Sequence, residues 1–193
     1  MVHDVEHKTV RCFLALTIPR QAQAGFKQLQ SSLKELGAKA RWVKPENIHI
    51  TLRFLGDRPV KKIQIIAENL ASFCPDAQSF KITSDHLDGF PDINNPKIIW
   101  AAVSEGERSI LAVYHTTNEA LARLGIPKER EDFIPHLTIA RCKTAQESVS
   151  TSQSVKKSRF SPVQTMASSI AFYKSTLTSD GASYELIREC FLK

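Results

Sequence analysis

A histidine and a threonine separated by one residue occur twice in the chain, in His49-Ile50-Thr51-Leu52 and in His136-Leu137-Thr138-Ile139. Successive side chains of an extended strand point to opposite faces, so the His and the Thr of each copy lie side by side. The apolar residues of each copy then face the other way and can pack in a core. One copy alone is typical of an edge strand with a polar face, but two copies in matching contexts indicate a functional site.

Two imidazoles that face each other can act as general acid and general base, because an ordinary pKa near 6.5 leaves both protonation states populated at neutral pH. This pairing suits attack at phosphorus, where threonine hydroxyls can donate to the non-bridging oxygens. Metal binding is the rival chemistry. The chain has no H-E-x-x-H motif and no obvious carboxylate partner beside either copy, which argues against a metal site. We therefore expect neither a metal nor a cofactor.

The surroundings of the two copies match, which predicts an internal duplication. In each half a buried strand, a helix ending in Leu-Gly and a proline-bearing turn precede the motif strand, with the Leu-Gly pairs at 36–37 and 124–125. We predict an α+β fold with two interleaved, pseudo-symmetric lobes, each with an antiparallel sheet and helices, and an active cleft between them. The lobes form a single domain over residues 1–193, with motif strands near 48–55 and 136–141.

Apolar periodicity and turn residues predict the other elements. The predicted strands lie at 10–18, 80–87, 97–103, 163–173 and 184–192, and the predicted helices at 21–36, 60–73 and 107–124. Gly56 and Asp57 are expected to end the first motif strand. The Ser/Thr-rich stretch 144–158 has few apolar residues and predicts a weak helix or a mobile loop.

Composition suggests a cytoplasmic protein with a bias toward anionic partners. The net charge is +6 and the pI is near 9.2, and a basic surface attracts phosphate-bearing molecules. The four cysteines, at 12, 74, 142 and 190, are far apart and are expected to be reduced thiols. Neither a signal peptide nor a membrane-spanning run is evident. A monomer without membrane attachment is expected.

Five stretches together resemble one family. They are RCFLALTIP (11–19), RWVKPENIHITLRFLG (41–56), PKIIWAAV (96–103), PHLTIAR (135–141) and FYKSTLTSDGASYELI (172–187). The doubled H-x-T-x is similar to the signature of the 2H phosphoesterase superfamily. The wider context resembles the bacterial and archaeal RNA 2′,3′-cyclic phosphodiesterases, also called 2′-5′ RNA ligases.

The resemblance implies metal-independent hydrolysis of an RNA 2′,3′-cyclic phosphate end to a 2′-phosphate. It implies that His49 is the proton donor to the leaving group, that His136 is the base that activates water, and that Thr51 and Thr138 hold phosphate oxygens. Other activities of the superfamily remain as alternatives, namely cleavage or ligation of 2′-5′ linkages and hydrolysis of a small cyclic nucleotide. An alternative of another class is an RNA-binding module without catalysis, although binding alone needs no facing histidines.

The chain departs from the family pattern just before the second motif. Relatives often carry basic residues in a phrase like R-P-F-R-P-H, whereas this chain reads EDFIPH at 131–136. Substitute ligands for the phosphate are Arg130, Arg53 and Arg141. In a regular strand Arg53 shares a face with His49, whereas Arg141 reaches the face of the second motif only if a bulge intervenes. Phe90, Phe54 and Tyr173 are candidates for stacking on a base, although packing within the protein is the more ordinary role for each of them.

Overall fold

The computed structural model describes residues 8–73, 77–129, 132–179 and 181–193. Within these residues the chain forms one curled antiparallel sheet and four α-helices. The strands are β1 (Thr9–Thr17), β2 (Arg41–Trp42), β3 (His49–Pro59), β4 (Phe80–Phe90), β5 (Ile98–Glu105), β6 (His136–Arg141), β7 (Val163–Ala167), β8 (Ser169–Thr178) and β9 (Gly181–Phe191). The helices are α1 (Arg20–Glu35), α2 (Val60–Glu68), α3 (Glu107–Arg123) and α4 (Ala145–Lys157).

The two motif strands are neighbours in the middle of the sheet. The strand order is β7-β4-β5-β6-β3-β1-β8-β9, and the short β2 pairs with β6 outside this path. β3 and β6 meet at the pair Ile50–Leu137. The predicted α+β class with antiparallel strands is confirmed. Because all the strands described belong to one sheet, the division of a single 1–193 domain into two lobes stays a prediction.

The main core lies between one face of the sheet and the helices. Leu14, Ile50 and Leu137 are fully buried there and pack with apolar residues of α1, α2 and α3, among them Phe26, Leu33, Ile63, Ile66, Ile110 and Leu121. We call this side the helix face. The opposite side, which carries His49, Thr51, His136 and Thr138, is the open face. Strand alternation therefore fixes the polar pairs on the open face by burying their apolar neighbours.

Residues 145–157 form the well-defined helix α4. Thr144 and Glu147 make a capping box at its start, with the Glu147 amide donating to Thr144 Oγ1 at 3.1 Å. Its buried residues all carry hydroxyl groups. Thr151 donates to Lys39 O and Ser154 to Leu36 O, both at 3.0 Å. Periodicity of apolar residues underestimated this helix because hydrogen bonds replace apolar contacts at its inner side.

Other element boundaries also differ from the predicted ones. β3 continues through Gly56 to Pro59, and Gly56 adopts a positive φ of 67° within it, which glycine tolerates without steric cost. The predicted strand 163–173 is divided at Ser168 into β7 and β8. The second helix ends at Glu68, and a short 3₁₀ helix (Leu70–Phe73) follows it.

The cysteines are in two different states. Cys12 and Cys142 are free and buried, but Cys190 is disulfide-bonded. The expectation of reduced thiols is therefore wrong for Cys190, and Cys74 lies outside the described residues. None of the helices in the described ranges is long and apolar enough to cross a membrane.

Candidate active site

The first motif copy presents one nitrogen of His49 to the open face. A 3₁₀ turn (Pro45–Asn47) leads into β3, and His49 Nδ1 lies 2.7 Å from the carbonyl oxygen of Asn47. A carbonyl can only accept, so Nδ1 carries a proton and donates it to this bond. Nε2 of the neutral ring is then an acceptor, and the Thr51 hydroxyl donates to it at 3.0 Å.

Aromatic rings enclose His49. Phe13 of β1 stacks on the imidazole with a centroid distance of 4.9 Å, and Tyr184 of β9 meets it edge-on at 5.4 Å. Burial lowers the pKa of His49 to about 4, against the opposing effect of the Asn47 hydrogen bond. The charge of His136 in its protonated form and the charge of Arg141 lower it further. His49 is therefore neutral at pH 7 in the ligand-free protein.

The second copy repeats the backbone arrangement in a more open setting. His136 Nδ1 lies 2.8 Å from the carbonyl oxygen of Ile134, so its Nε2 is also left toward the open face. Phe90 and Trp100 meet the ring edge-on at 5.1 and 5.7 Å. Burial lowers the pKa of His136, the Ile134 bond raises it, and the charge of Arg141 lowers it.

The register between β3 and β6 brings the two copies together. Because Ile50 is paired with Leu137 in an antiparallel sense, His49 lies across from Thr138 and Thr51 lies across from His136. Thr51 and His136 accordingly line one cleft of about 280 Å³, together with Phe54, Phe90 and Asp132. No group of three His, Cys, Asp or Glu side chains among the described residues forms a possible metal site.

A β-bulge in the first copy moves Arg53 away from the face of His49. Thr51 pairs with Ala15 and Arg53 pairs with Leu14, so Leu52 is an extra residue in β3. Since directly paired residues lie on the same face, Arg53 is turned toward the side of Leu14. Its guanidinium donates to Asn118 Oδ1 at 2.7 Å and to Pro127 O at 2.6 Å. The sequence places Arg53 on the face of His49 only in a regular strand, and the bulge means that this condition is not met.

Arg53 still contributes to the wall of the cleft. It lies 3.5 Å from the carboxylate of Glu129, and its side chain is largely buried. Its guanidinium therefore acts as a link between β3, α3 and the segment before β6.

The equivalent bulge in the second copy brings Arg141 onto the open face. Thr138 pairs with Trp100 and Ala140 pairs with Ile99, so Ile139 is the extra residue of β6. The sequence predicts that Arg141 reaches the face of the second motif only if a bulge intervenes, and this bulge is present. Burial lowers the pKa of His49 and of His136, and the charge of Arg141 lowers both further. Burial raises the pKa of Tyr184, and the charge of Arg141 opposes that rise. Arg141 is the cation shared by both motif histidines.

Relatives of known name cover nearly the whole chain. An RNA 2′,3′-cyclic phosphodiesterase of Methanocaldococcus jannaschii is 33% identical over 183 residues, which are 93% of this chain and 99% of that protein. The chain belongs to the LigT-like phosphoesterase family. The model of this family matches residues 16–100, which include the first motif copy. An RNA 2′,3′-cyclic phosphodiesterase of Aquifex aeolicus is 29% identical over 186 residues, 96% of this chain and 98% of that one.

Solved structures share the fold of this LigT-like phosphoesterase. E. coli LigT complexed with 3′-AMP superposes with a TM-score of 0.74 at 18% identity, covering 96% of this chain and 99% of that one. A Thermus thermophilus protein superposes with a TM-score of 0.69 at 22% identity, covering 94% and 97% of the two chains. The curled antiparallel sheet with four helices is thus the fold of the LigT structures.

The remaining predicted site residues differ in how close they lie to the motifs. Phe90 stacks on Trp100 with a centroid distance of 4.9 Å beside His136. Phe54 is 59% exposed at the cleft, whereas Tyr173 packs against Phe13 behind His49. Arg130 lies outside the described residues.

Sequence analysis of this LigT-like phosphoesterase missed the rings that enclose the histidines. Phe13 and Trp100 are buried residues of the apolar strands β1 and β5. The open-face layer is aromatic, however, and it contacts both motif histidines. Tyr184 stands between Ser183 and Glu185, and this alternation is the signal that could have placed it on the open face.

Proposed function

We propose that this protein hydrolyses RNA 2′,3′-cyclic phosphate ends to 2′-phosphates, with His49 as general acid and His136 as general base. The observation that carries the proposal is the orientation of both rings. Each Nδ1 is occupied by the carbonyl two residues upstream, which leaves both Nε2 atoms for substrate beside Arg141. The names of relatives that span nearly the whole chain supply the substrate class.

In the proposed reaction His136 Nε2 takes a proton from water as the water oxygen bonds to phosphorus. The bond from phosphorus to O3′ breaks, and His49 gives its Nε2 proton to O3′. The products are a 2′-phosphate and a free 3′-hydroxyl, and the two histidines exchange their initial protonation states. Solvent returns them to the starting state. The residues supply both proton transfers, so the proposal includes no metal and no cofactor.

Substrate binding has to change the protonation of His49. A general acid must begin protonated, but the pKa of His49 is about 4 in the ligand-free protein. A phosphate anion beside Nε2 favours the charged imidazolium and raises this pKa. His136 needs no such change, because its lowered pKa keeps it in the neutral form that a base requires. The negative charge of the substrate therefore promotes the protonation that His49 needs as a general acid.

Thr51, Thr138 and Arg141 bind the phosphate oxygens in this proposal. Thr51 already bonds to His49 Nε2 at 3.0 Å, so a phosphate oxygen can take over its hydroxyl when the imidazole becomes charged. Arg141 offsets the anionic charge that develops at phosphorus. Phe90 stacks on the terminal base at the rim of the cleft. Arg53 is not included as a phosphate ligand, because Asn118 and Pro127 already accept hydrogen bonds from its two terminal nitrogens.

The proposed partner is single-stranded RNA with a cyclic phosphate end, bound by a monomer in the cytoplasm. Ligation to a 2′-5′ linkage would run the proton transfers in the opposite direction, so the two histidines would exchange their roles as acid and base. A binding module without catalysis would have no use for two histidines with matched Nε2 positions.

The decisive test is an end-group assay on a 2′,3′-cyclic-phosphate oligonucleotide in the presence of EDTA. We expect a 2′-phosphate product, resistant to an enzyme that removes only 3′-phosphates. The double variant His49→Ala/His136→Ala, purified in the same way, controls for contaminating nucleases. A requirement for added metal, a 3′-phosphate product or equal turnover by the double variant would contradict the proposal.

A further inference from the structure

The carbonyl of the bulged residue Ile139 accepts its hydrogen bonds from outside β5. The extra residue interrupts the ladder between β6 and β5, and a buried carbonyl without a partner is costly. Ile139 is fully buried. Its carbonyl oxygen accepts from the Val43 amide at 2.9 Å and from Gln30 Nε2 at 3.1 Å. The bulge is therefore supported by donors from outside β5.

Gln30 is an unusual residue for its position. It lies on the inner side of α1 beside Phe26, Leu29 and Leu33, where helical periodicity favours an apolar residue. Its side chain is 3% exposed. Nε2 also donates to Val43 O at 2.6 Å, so the two hydrogens of the amide serve two carbonyls on different segments. The amide joins the chain before the first motif to the bulge inside the second.

The position of Arg141 depends on this bulge. Arg141 reaches the open face only because Ile139 is an extra residue, and without it β6 would turn Arg141 to the helix face. We infer that Gln30 is a positioning residue whose amide fixes the Ile139 bulge and so holds Arg141 beside the two histidines. The inference rests on the proposed function for its catalytic meaning, but the geometry can be tested without turnover.

The same amide also holds the segment that leads to His49, through its bond to the Val43 carbonyl. Val43 is four residues before Asn47, whose carbonyl orients the His49 ring. Gln30 thus contacts one segment from each half of the site, although it touches neither histidine. The expected consequence of its loss is a displaced cation, with both imidazoles retained.

The test compares Gln30→Met, Arg141→Ala and the double variant with the parent protein. Met has similar length and helix propensity but no donor. NMR titration with inorganic phosphate, observed at the histidine Cε1 protons, gives phosphate affinity and histidine pKa values together. We expect Arg141→Ala to weaken phosphate binding about 10-fold or more, Gln30→Met by about 3-fold to 10-fold, and the double variant no more than Arg141→Ala. The pKa of His136 should rise in all three.

A matched control separates positioning from general stability. Ser154→Ala removes another buried side-chain bond to a carbonyl, that of Leu36, the residue that follows α1. It should lower the melting temperature without changing phosphate affinity. The inference would be overturned if the losses of phosphate affinity in the two single variants multiplied in the double variant. It would also be overturned if Gln30→Met kept the phosphate affinity and the His136 pKa of the parent protein.

Three further outcomes have a defined meaning. If Gln30→Met does not fold, Gln30→Asn keeps an amide that is one methylene too short to serve both carbonyls, and the same two measurements apply to it. Unchanged phosphate binding in Arg141→Ala would overturn the inference, because no cation would then need positioning. Absence of turnover in the parent protein would refute the proposed function while leaving the coupling of Gln30 to Arg141 intact.

Discussion

The two motif copies have the same backbone geometry and different surroundings. Each histidine donates from Nδ1 to the carbonyl two residues before it. Phe13 stacks on His49 and Tyr184 contacts it edge-on, whereas Phe90 and Trp100 both contact His136 edge-on beside the cleft. The repeated motif therefore fixes the direction of the rings, and the aromatic neighbours set their proton affinities. Because burial lowers the pKa of His49, the proposed acid, to about 4, the protonation that an acid needs has to come from the charge of the bound substrate and not from these surroundings.

The residues after the two motifs show the same contrast. Leu52 and Ile139 are extra residues at equivalent positions. After the bulge in the first copy, Phe54 lies on the open face, since it pairs with Phe13. After the bulge in the second copy, Arg141 lies on the open face. One half of the site thus offers an exposed ring and the other a cation. This difference suits a ligand with a base at one end and a phosphate at the other.

The largest expected effect follows from removing either imidazole. His49→Ala and His136→Ala should each lower kcat on a cyclic-phosphate oligonucleotide by about 10²–10⁴-fold, because each removes one proton transfer. Single-turnover assays with saturating protein measure the chemical step directly. His115→Ala, at an exposed position of α3, is the control. Full activity in either motif variant would exclude that residue from the proton traffic.

A smaller effect should distinguish the residues after the bulges. Arg141→Met should raise KM by about 10-fold to 100-fold, because the phosphate loses a charged donor. Phe54→Leu should raise KM by less than 10-fold, because it removes only one of the two cleft rings that can contact the base and leaves Phe90 in place. Steady-state kinetics on a dinucleotide with a cyclic end measures both. Equal effects would show that the two halves do not divide phosphate and base between them.

Sequence patterns predicted the strand placement of both motifs and the α+β fold because these follow from local alternation of apolar residues. They could not locate the bulges, since neither Leu52 nor Ile139 differs in type from an ordinary strand residue. Which face of the sheet Arg53 and Arg141 occupy could therefore be determined only from the register of strand pairing. Gln30 was also hidden, because its role depends on carbonyls 13 and 109 residues away in sequence.

The contrast in proton affinity should also be visible in stability. The pKa of His49 is near 6.5 in an unfolded chain and about 4 in the folded protein, so the unfolded state binds more protons between these pH values. The free energy of unfolding should therefore fall as the pH drops from 6.5 to 4, with His49 contributing on the order of 3 kcal/mol.

Urea denaturation of the parent protein and of His49→Gln across this pH range tests that contribution. Glutamine binds no proton, so the variant should lose less stability on acidification than the parent protein. His115→Gln controls for the loss of a histidine as such. Parallel stability curves for the parent protein and His49→Gln would mean that burial does not hold the imidazole neutral.

The mildest change concerns the aromatic enclosure itself. Phe13→Leu keeps an apolar side chain but removes the ring stacked on His49, so water gains access and the pKa of His49 should rise from about 4 toward 6.5. Phe90→Leu should raise the pKa of His136 by a smaller amount, because that ring is more open and keeps Trp100. NMR titration of the Cε1 protons measures both. A larger response at His136 would reverse the comparison, making the second copy the one whose proton affinity its aromatic neighbours control.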